Sequence, residues 1–150
     1  MVKFIFEGIN FPSLNVALDL AKRAKRSRGR YKKKYTGSLY DVEKSKLNTL
    51  IGTIAREQYK GILTGKYTVC FVWYLESFRK DPDNIDHAVK YILDGMVKGG
   101  VLAEDGHKNV GGGKVHCYFR DKERPRVEVY FIEQDKNEFL RALIKKELEL

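Results

Sequence analysis

Two aspartates, Asp81 and Asp83, flank Pro82 in the segment RKDPDNIDHAVKYILDG. The proline stiffens the backbone between them, and alternate residues of an extended segment point to the same side. Two carboxylates aimed one way repel each other unless a cation lies between them. Asn84 follows directly, and Lys90 and Asp94 come shortly after. A second acidic pair, Glu104–Asp105, stands where the chain should return through GGVLAEDG. If that return is an extended segment, VLAEDGHKNV, lying beside a central strand, Asp105 joins the first two acids. The plainer reading makes Asp83 a helix N-cap, with Asp86 completing a box-like turn and Asp81 a solvated loop acid.

The elements that would position these groups are readable from periodicity. Ile85, Ala88, Val89, Ile92, Leu93, Met96 and Val97 form one apolar stripe and predict a helix from about 84 to 97. His87, Lys90 and Asp94 fall on its opposite face, with Tyr91 at the margin. Upstream, residues 66–78 predict a strand with Val69, Phe71, Trp73 and Leu75 on one face and Cys70, Val72 and Tyr74 on the other. Both faces are apolar, as in a central strand. Further strands are expected at 2–7, 114–120 and 126–133, with a turn at DKERP and Pro125 tolerated before the last strand. A helix is expected over 13–25. Another is expected over 41–60, with Asp41 as cap, Leu47, Leu50, Ile51 and Ile54 as its stripe, and Gly61 as its end. The stretch 135–149 predicts a last helix, and GGGK at 111–114 a flexible loop. The fold class is α+β: a single domain over 1–150 with a small mixed sheet of about four strands packed with helices.

Composition narrows the partners. With 150 residues, 43% hydrophobic and 33% charged, the chain has too much apolar material for disorder. Nine of its 29 basic residues lie in 22–34, KRAKRSRGRYKKK, without an acid; the other 20 match the 20 acids. A balanced domain with one basic arm points to a polyanion, most simply nucleic acid. The arm comprises Lys22, Arg23, Lys25, Arg26, Arg28, Arg30, Lys32, Lys33 and Lys34, with Tyr31 and Tyr35 available for stacking on unpaired bases. No apolar run approaches a membrane span, and the N-terminal stretch does not read as a signal peptide. Cys70 and Cys117 read as buried free thiols, so the expected compartment is the cytoplasm. Familiar sites fail on spacing. An EF-hand would need Gly in place of Asp86 and Glu in place of Ile92. A phosphate-binding loop would need Ser or Thr in place of Tyr67. The three histidines and two cysteines lack zinc spacing.

Four stretches carry a resemblance: FEGINFPSLN (6–15), with a Pro-Ser-x-Asn segment ending at Asn15; KDPDNIDHAVKYILDGMVKGGVL (80–102); AEDGHKNV (103–110); and RPRVEVYFIE (124–133). Together they resemble the RusA-type Holliday junction resolvases, small dimeric nucleases of bacteria and their phages, and most closely the phage and prophage branch. The resemblance implies a homodimeric, Mg²⁺-dependent endodeoxyribonuclease, with Mn²⁺ as a possible substitute, that nicks four-way junctions or other branched DNA in pairs. It implies Asp81, Asp83 and Asp105 as metal ligands and Lys90 as the active-site lysine, supported by Asn84, His87, Asp94 and Asn15. In the better-known members the lysine lies four residues after the second aspartate. Here that position is His87 and Lys90 comes three residues later, while Lys90 to Asp94 keeps the expected gap. Either the helix begins with an extra turn or His87 takes over part of the role.

Two alternatives stand beside this reading. One is a non-catalytic DNA-binding protein on the same scaffold. The other is a nuclease of the PD-(D/E)xK type, which Pro82-Asp83 fits but which Asp105-Gly-His-Lys misses by one residue.

Overall fold

A computed structural model describes residues 1–12, 15–19 and 39–134. The basic arm at 22–34 and the C-terminal helix at 135–149 lie outside the described residues. Of the helix expected over 13–25, residues 15–19 are described and helical.

Four strands form one mixed sheet in the order β1-β4-β2-β3. They are β1 (Val2–Glu7), β2 (Tyr67–Leu75), β3 (Gly113–Arg120) and β4 (Arg126–Glu133). β4 runs antiparallel to β1 and β2, whereas β2 and β3 are parallel. The helices are α1 (Leu39–Gln58), α2 (Pro82–Asp86), α3 (Ala88–Lys98) and α4 (His107–Val110). This is the small α+β fold expected, and β2 lies inside the sheet as its two apolar faces require. Among the described residues no helix is long and apolar enough to cross a membrane.

One sheet face is the core. Phe4, Phe6, Val69, Phe71, Trp73, Val127, Val129 and Phe131 pack there against Ile51 and Ala55 of α1 and the predicted stripe of α3. Tyr91, expected at the margin of that stripe, is buried. On α1 the buried positions are Asn48, Ile51, Gly52 and Ala55. Leu50, placed in the apolar stripe by periodicity, is 48% exposed. The shift has a steric cause: α1 meets α3 through glycines. A Cβ on Gly52 would stand 2.7 Å from the Gly95 carbonyl oxygen, and one on Gly99 2.5 Å from that of Gly52. The helices can approach so closely only through faces without side chains. Asp41 lies inside the first turn of α1 rather than at its cap.

Two loops also depart from expectation. Gly111 and Gly112 are not free to flex: the Gly112 N–H donates to the Tyr67 carbonyl (2.9 Å), its own carbonyl accepts from Thr68 Oγ1 (2.9 Å), and a Cβ on Gly112 would lie 2.4 Å from the Tyr67 oxygen. The return segment is not a strand of the sheet. It makes one bridge, Leu63 to Leu102, and then turns into α4.

The other sheet face carries a charged knot. Glu128, only 4% exposed, accepts from Lys3 Nζ (2.7 Å), Arg126 Nε (2.8 Å) and Tyr130 OH (2.6 Å). Burial works against its ionisation, but these three donors outweigh it and draw the carboxyl down to about 2. Cys70 and Cys117 share this face. They are free but half-buried rather than buried, and burial followed by the neighbouring Cys117 raises the Cys70 thiol.

Two outcomes are expected. Gly52→Ala should destabilise the fold by ~1–3 kcal/mol, the usual cost of forcing an extra carbon into a packed contact. Gly106→Ala, whose nearest neighbour would be 3.7 Å away, should change stability far less; urea denaturation of both variants reads the difference. Glu128 binds its proton more weakly folded than unfolded, so its contribution is complete above about 4.5 and is lost as pH falls towards about 2. The slope should be at most ~1.4 kcal/mol per pH unit. Melting curves of wild type and Glu128→Gln should therefore lie apart at neutral pH and converge in acid.

Candidate active site

Residues 81–87 build the first part of the site. Asp81 is extended (φ −64, ψ 151) and occupies the cap position of α2, with Pro82 in the first turn, where its missing N–H costs nothing. The Asp81 carbonyl accepts from the N–H groups of Asn84 (3.0 Å) and Ile85 (3.3 Å). Its side chain makes no capping bond. The capping reading of Asp83 therefore fails, since Asp83 sits inside the first turn. Both carboxylates are exposed, and neither has a hydrogen-bond or ion-pair partner among the described residues.

The single helix expected from 84 to 97 is two helices. α2 closes at His87, whose N–H donates to the Asp83 carbonyl (3.2 Å), and α3 begins at Ala88. The break between the two helices thus falls between Asp83 and Lys90. His87 turns its ring edge-on to Tyr91, with 3.4 Å between Nε2 and the phenol oxygen, and burial lowers its pKa.

Lys90 is the centre of a second group. Its Nζ lies 2.7 Å from Asp94 Oδ1 and 3.4 Å from Asp105 Oδ2, and Lys44 of α1 holds the other Asp94 oxygen at 2.8 Å. The bond to Asp94 holds the Lys90 pKa above its ordinary value. Burial pushes the Asp94 carboxyl up, but Lys44 and Lys90 outweigh it and keep it low. Asp105 arrives here because its loop is pinned. Gly100 takes φ +67 to turn the chain. Asn109, fully buried, accepts from the Glu104 N–H (3.0 Å) and donates to the Gly65 carbonyl (2.7 Å).

β3 supplies a third group that sequence reading missed. Its register sets His116 opposite Phe71 and Tyr118 opposite Trp73, so both face the helices beside the core. His116 Nδ1 lies 2.7 Å from Asp86 Oδ1, and the Tyr118 hydroxyl donates to the same oxygen. Burial and then Asp86 raise the Tyr118 phenol well above its ordinary value, and Asp83 adds to the shift. Phe71 stacks on the imidazole at 5.2 Å. Asp86, His87, Lys90, Asp105, Lys114 and His116 line one open cavity of about 350 Å³. The available signal was the alternation of Lys114, His116 and Tyr118 along a strand, which shows a shared face but not which face.

The structure therefore gathers Lys90, Asp94 and Asp105, while Asp81 is extended and Asp83 lies in the first helical turn, so the shared side expected of an extended Asp81–Asp83 segment is not kept. It does not close all three predicted ligands around one point. Among the described residues no three His, Cys, Asp or Glu side chains are grouped to hold a metal ion. The donor chemistry of the Asp81–Asp83 pair nevertheless suits a hard divalent cation, which takes few protein carboxylates and fills its shell with water and phosphate. Asn84 is half-buried on a separate cavity of about 280 Å³ with Phe11, Trp73 and Arg126. Asn15 is exposed and shares no hydrogen bond with these groups among the described residues. The chain matches no family model, and no curated protein is significantly similar to it.

Asn109→Ala should leave the Glu104 N–H and the Gly65 carbonyl without their present partner in a half-buried setting. The expected cost is ~1–2 kcal/mol, seen as faster amide exchange at Glu104 and loss of the Asp105 contact to Lys90.

Proposed function

We propose that the chain is a divalent-cation-dependent endodeoxyribonuclease of the RusA-like type, acting on four-way junctions or other branched DNA as a homodimer. One observation carries this reading. Among the acids leading into α2 and along the cavity, Asp86, Asp94 and Asp105 each meet a cationic or hydrogen-bonding partner, while Asp81 and Asp83, two residues apart in sequence, stand exposed with none among the described residues. Like charges left together and bare are a place for a cation. Magnesium, or manganese in its place, held by Asp81 and Asp83 with Asp105 as the third acid, would neutralise charge on a phosphodiester and make water more acidic there. Lys90 would face the phosphate charge from across the cavity. The arm at 22–34 would bind backbone phosphates without reading bases. A two-fold dimer would match a two-fold junction with two sites.

The commitment of Asp105 to Lys90 (3.4 Å) and the lack of a three-acid group favour the second reading, a non-catalytic DNA-binding protein on the same scaffold. One experiment separates the two. A labelled four-way junction and a matched linear duplex are incubated with the protein in Mg²⁺ and in EDTA. Paired nicks in the junction, with Mg²⁺ only, are the expected result. Asp81→Asn and Asp83→Asn should each slow cleavage by ~100-fold or more, ~2.7 kcal/mol of barrier, while binding is kept or tightened because a negative charge near phosphate is gone. Junction binding without cleavage in either Mg²⁺ or Mn²⁺ would establish the second reading.

A further inference from the structure

We propose that the cavity at the carboxyl end of β2 is a nucleobase pocket, which takes one unstacked base beside the phosphate held at Asp81 and Asp83. The inference rests on the nuclease reading and adds what the site grips next to that phosphate.

The pocket is defined first by its place. Its lining comes from the last residues of β2, the turn into α2 and the segment that follows β1. Lys80 and Asn84 both line it, and in the chain they bracket Asp81 and Asp83. Pocket and acids thus share one short segment. This is a different space from the cavity that Lys90, Asp105 and His116 line.

Its size and walls suit a flat ring. About 280 Å³ falls just under the ~300–1,000 Å³ of sites for drug-sized ligands, which leaves room for a single ring system. Phe11 meets Trp73 edge to face, with ring centres 6.4 Å apart. Trp73 is 3% exposed and serves only as wall. Phe11 is half-buried and also lines a neighbouring cavity of about 570 Å³, so protein covers its ring only in part. An aromatic ring fixed by an edge contact and left partly uncovered is a platform on which any base can stack.

The polar groups divide into spent and free. The Arg126 guanidinium bonds Glu128 and Asp121 and lies over the Tyr74 ring. The Asn84 side chain is half-buried, yet its amide has no hydrogen-bond partner among the described residues. An amide presents a donor and an acceptor side by side, the pair that a base edge answers. Lys80 is exposed, has no ion-pair partner among the described residues, and suits an adjacent backbone phosphate. An apolar side chain from a protein partner would fill the walls but leave both of these groups unanswered.

Taking a base out of its stack costs energy, least where pairing is already interrupted. A branch point supplies that interruption and a continuous duplex does not. The pocket therefore gives a physical cause for preferring branched over linear DNA, which two carboxylates and a cation cannot supply alone.

A cleavage cycle tests it. In the labelled four-way junction each nucleotide flanking the nick is replaced in turn by an abasic residue, and cleavage in Mg²⁺ is compared with that of the intact junction. At one position wild type should slow by ~5–100-fold, the worth of one stacked base. In Phe11→Leu, which keeps an apolar side chain, that ratio should shrink by about threefold or more, because variant and abasic residue remove the same contact. Asn84→Ala, on the other wall, carries the same test should Phe11→Leu melt at a lower temperature. No slowing at any flanking position, or an unchanged ratio in the folded variant, would overturn the pocket and leave the nuclease reading intact. If wild type cuts nothing in Mg²⁺ or Mn²⁺, the nuclease reading falls and the same cycle is read from junction binding. There a coupled loss supports the pocket, and purely additive losses overturn it.

Discussion

Two parallel strands cannot be joined by a tight turn; the chain must cross back over a dozen residues or more. β2 and β3 pair in parallel from Thr68 with Gly113 to Leu75 with Arg120, so everything between Leu75 and Gly113 is crossover. Asp81, Asp83, Asp86, Lys90, Asp94 and Asp105 all lie in it. The crossover starts beyond the carboxyl end of β2, the end at which open sheets of this kind bind ligands. Because β3 is the edge strand, its inward side chains are only partly covered by helices. His116 and Tyr118 can therefore be polar there, where their sheet neighbours Phe71 and Trp73 must be apolar.

Within that frame, packing sets positions and charge only adjusts them. The contact of Gly52 with Gly95 and Gly99 brings α1 within reach of α3. Lys44 then meets Asp94 (2.8 Å), and Arg56 Nε meets the Gly99 carbonyl (3.1 Å). Exposed ion pairs contribute ~0–1 kcal/mol, and the Lys90 side chain is 57% exposed. Its 3.4 Å contact to Asp105 is thus too weak to hold the return loop. The buried amide of Asn109, bonded at both ends, is the stronger restraint.

Strong local periodicity carried into the structure almost unchanged. The six buried positions of the 85–96 stripe and the alternating faces of β2 are determined by burial, which hydrophobic spacing reports directly. What failed was decided by contacts far apart in sequence. Leu50 has the right spacing for the core but lies off the face that the glycine contact selects. The triglycine 111–113 reads as flexible only until the start of β2 closes on it. The break at His87 leaves no mark in the apolar stripe, because both helices keep their apolar sides on the same core. Along β3 the apolar residues are Val115, Cys117 and Phe119, yet pairing with β2 turns them to the outer face and leaves Val115 40% and Phe119 52% exposed. Register, which a single strand does not encode, decided the side on which His116 would stand.

The two bare aspartates have an electrostatic consequence for any phosphate ligand. A phosphodiester brings one negative charge towards two, and nothing among the described residues neutralises them. Lys90 cannot do so, because Asp94 and Asp105 already hold its ammonium group. His116 lies against Asp86 instead, its Nδ1 2.7 Å from the Asp86 Oδ1. Beyond Lys114 on the wall of the cavity, the positive charge needed for approach must then come from a divalent cation at the pair, the arm at 22–34 acting at longer range, or both. The two differ in their response to salt. An arm that neutralises phosphates in exposed contacts is weakened steeply by added salt, whereas a cation held directly by two carboxylates is screened far less. Binding and cleavage on this chain should accordingly be separable by ionic strength, with binding the first to go.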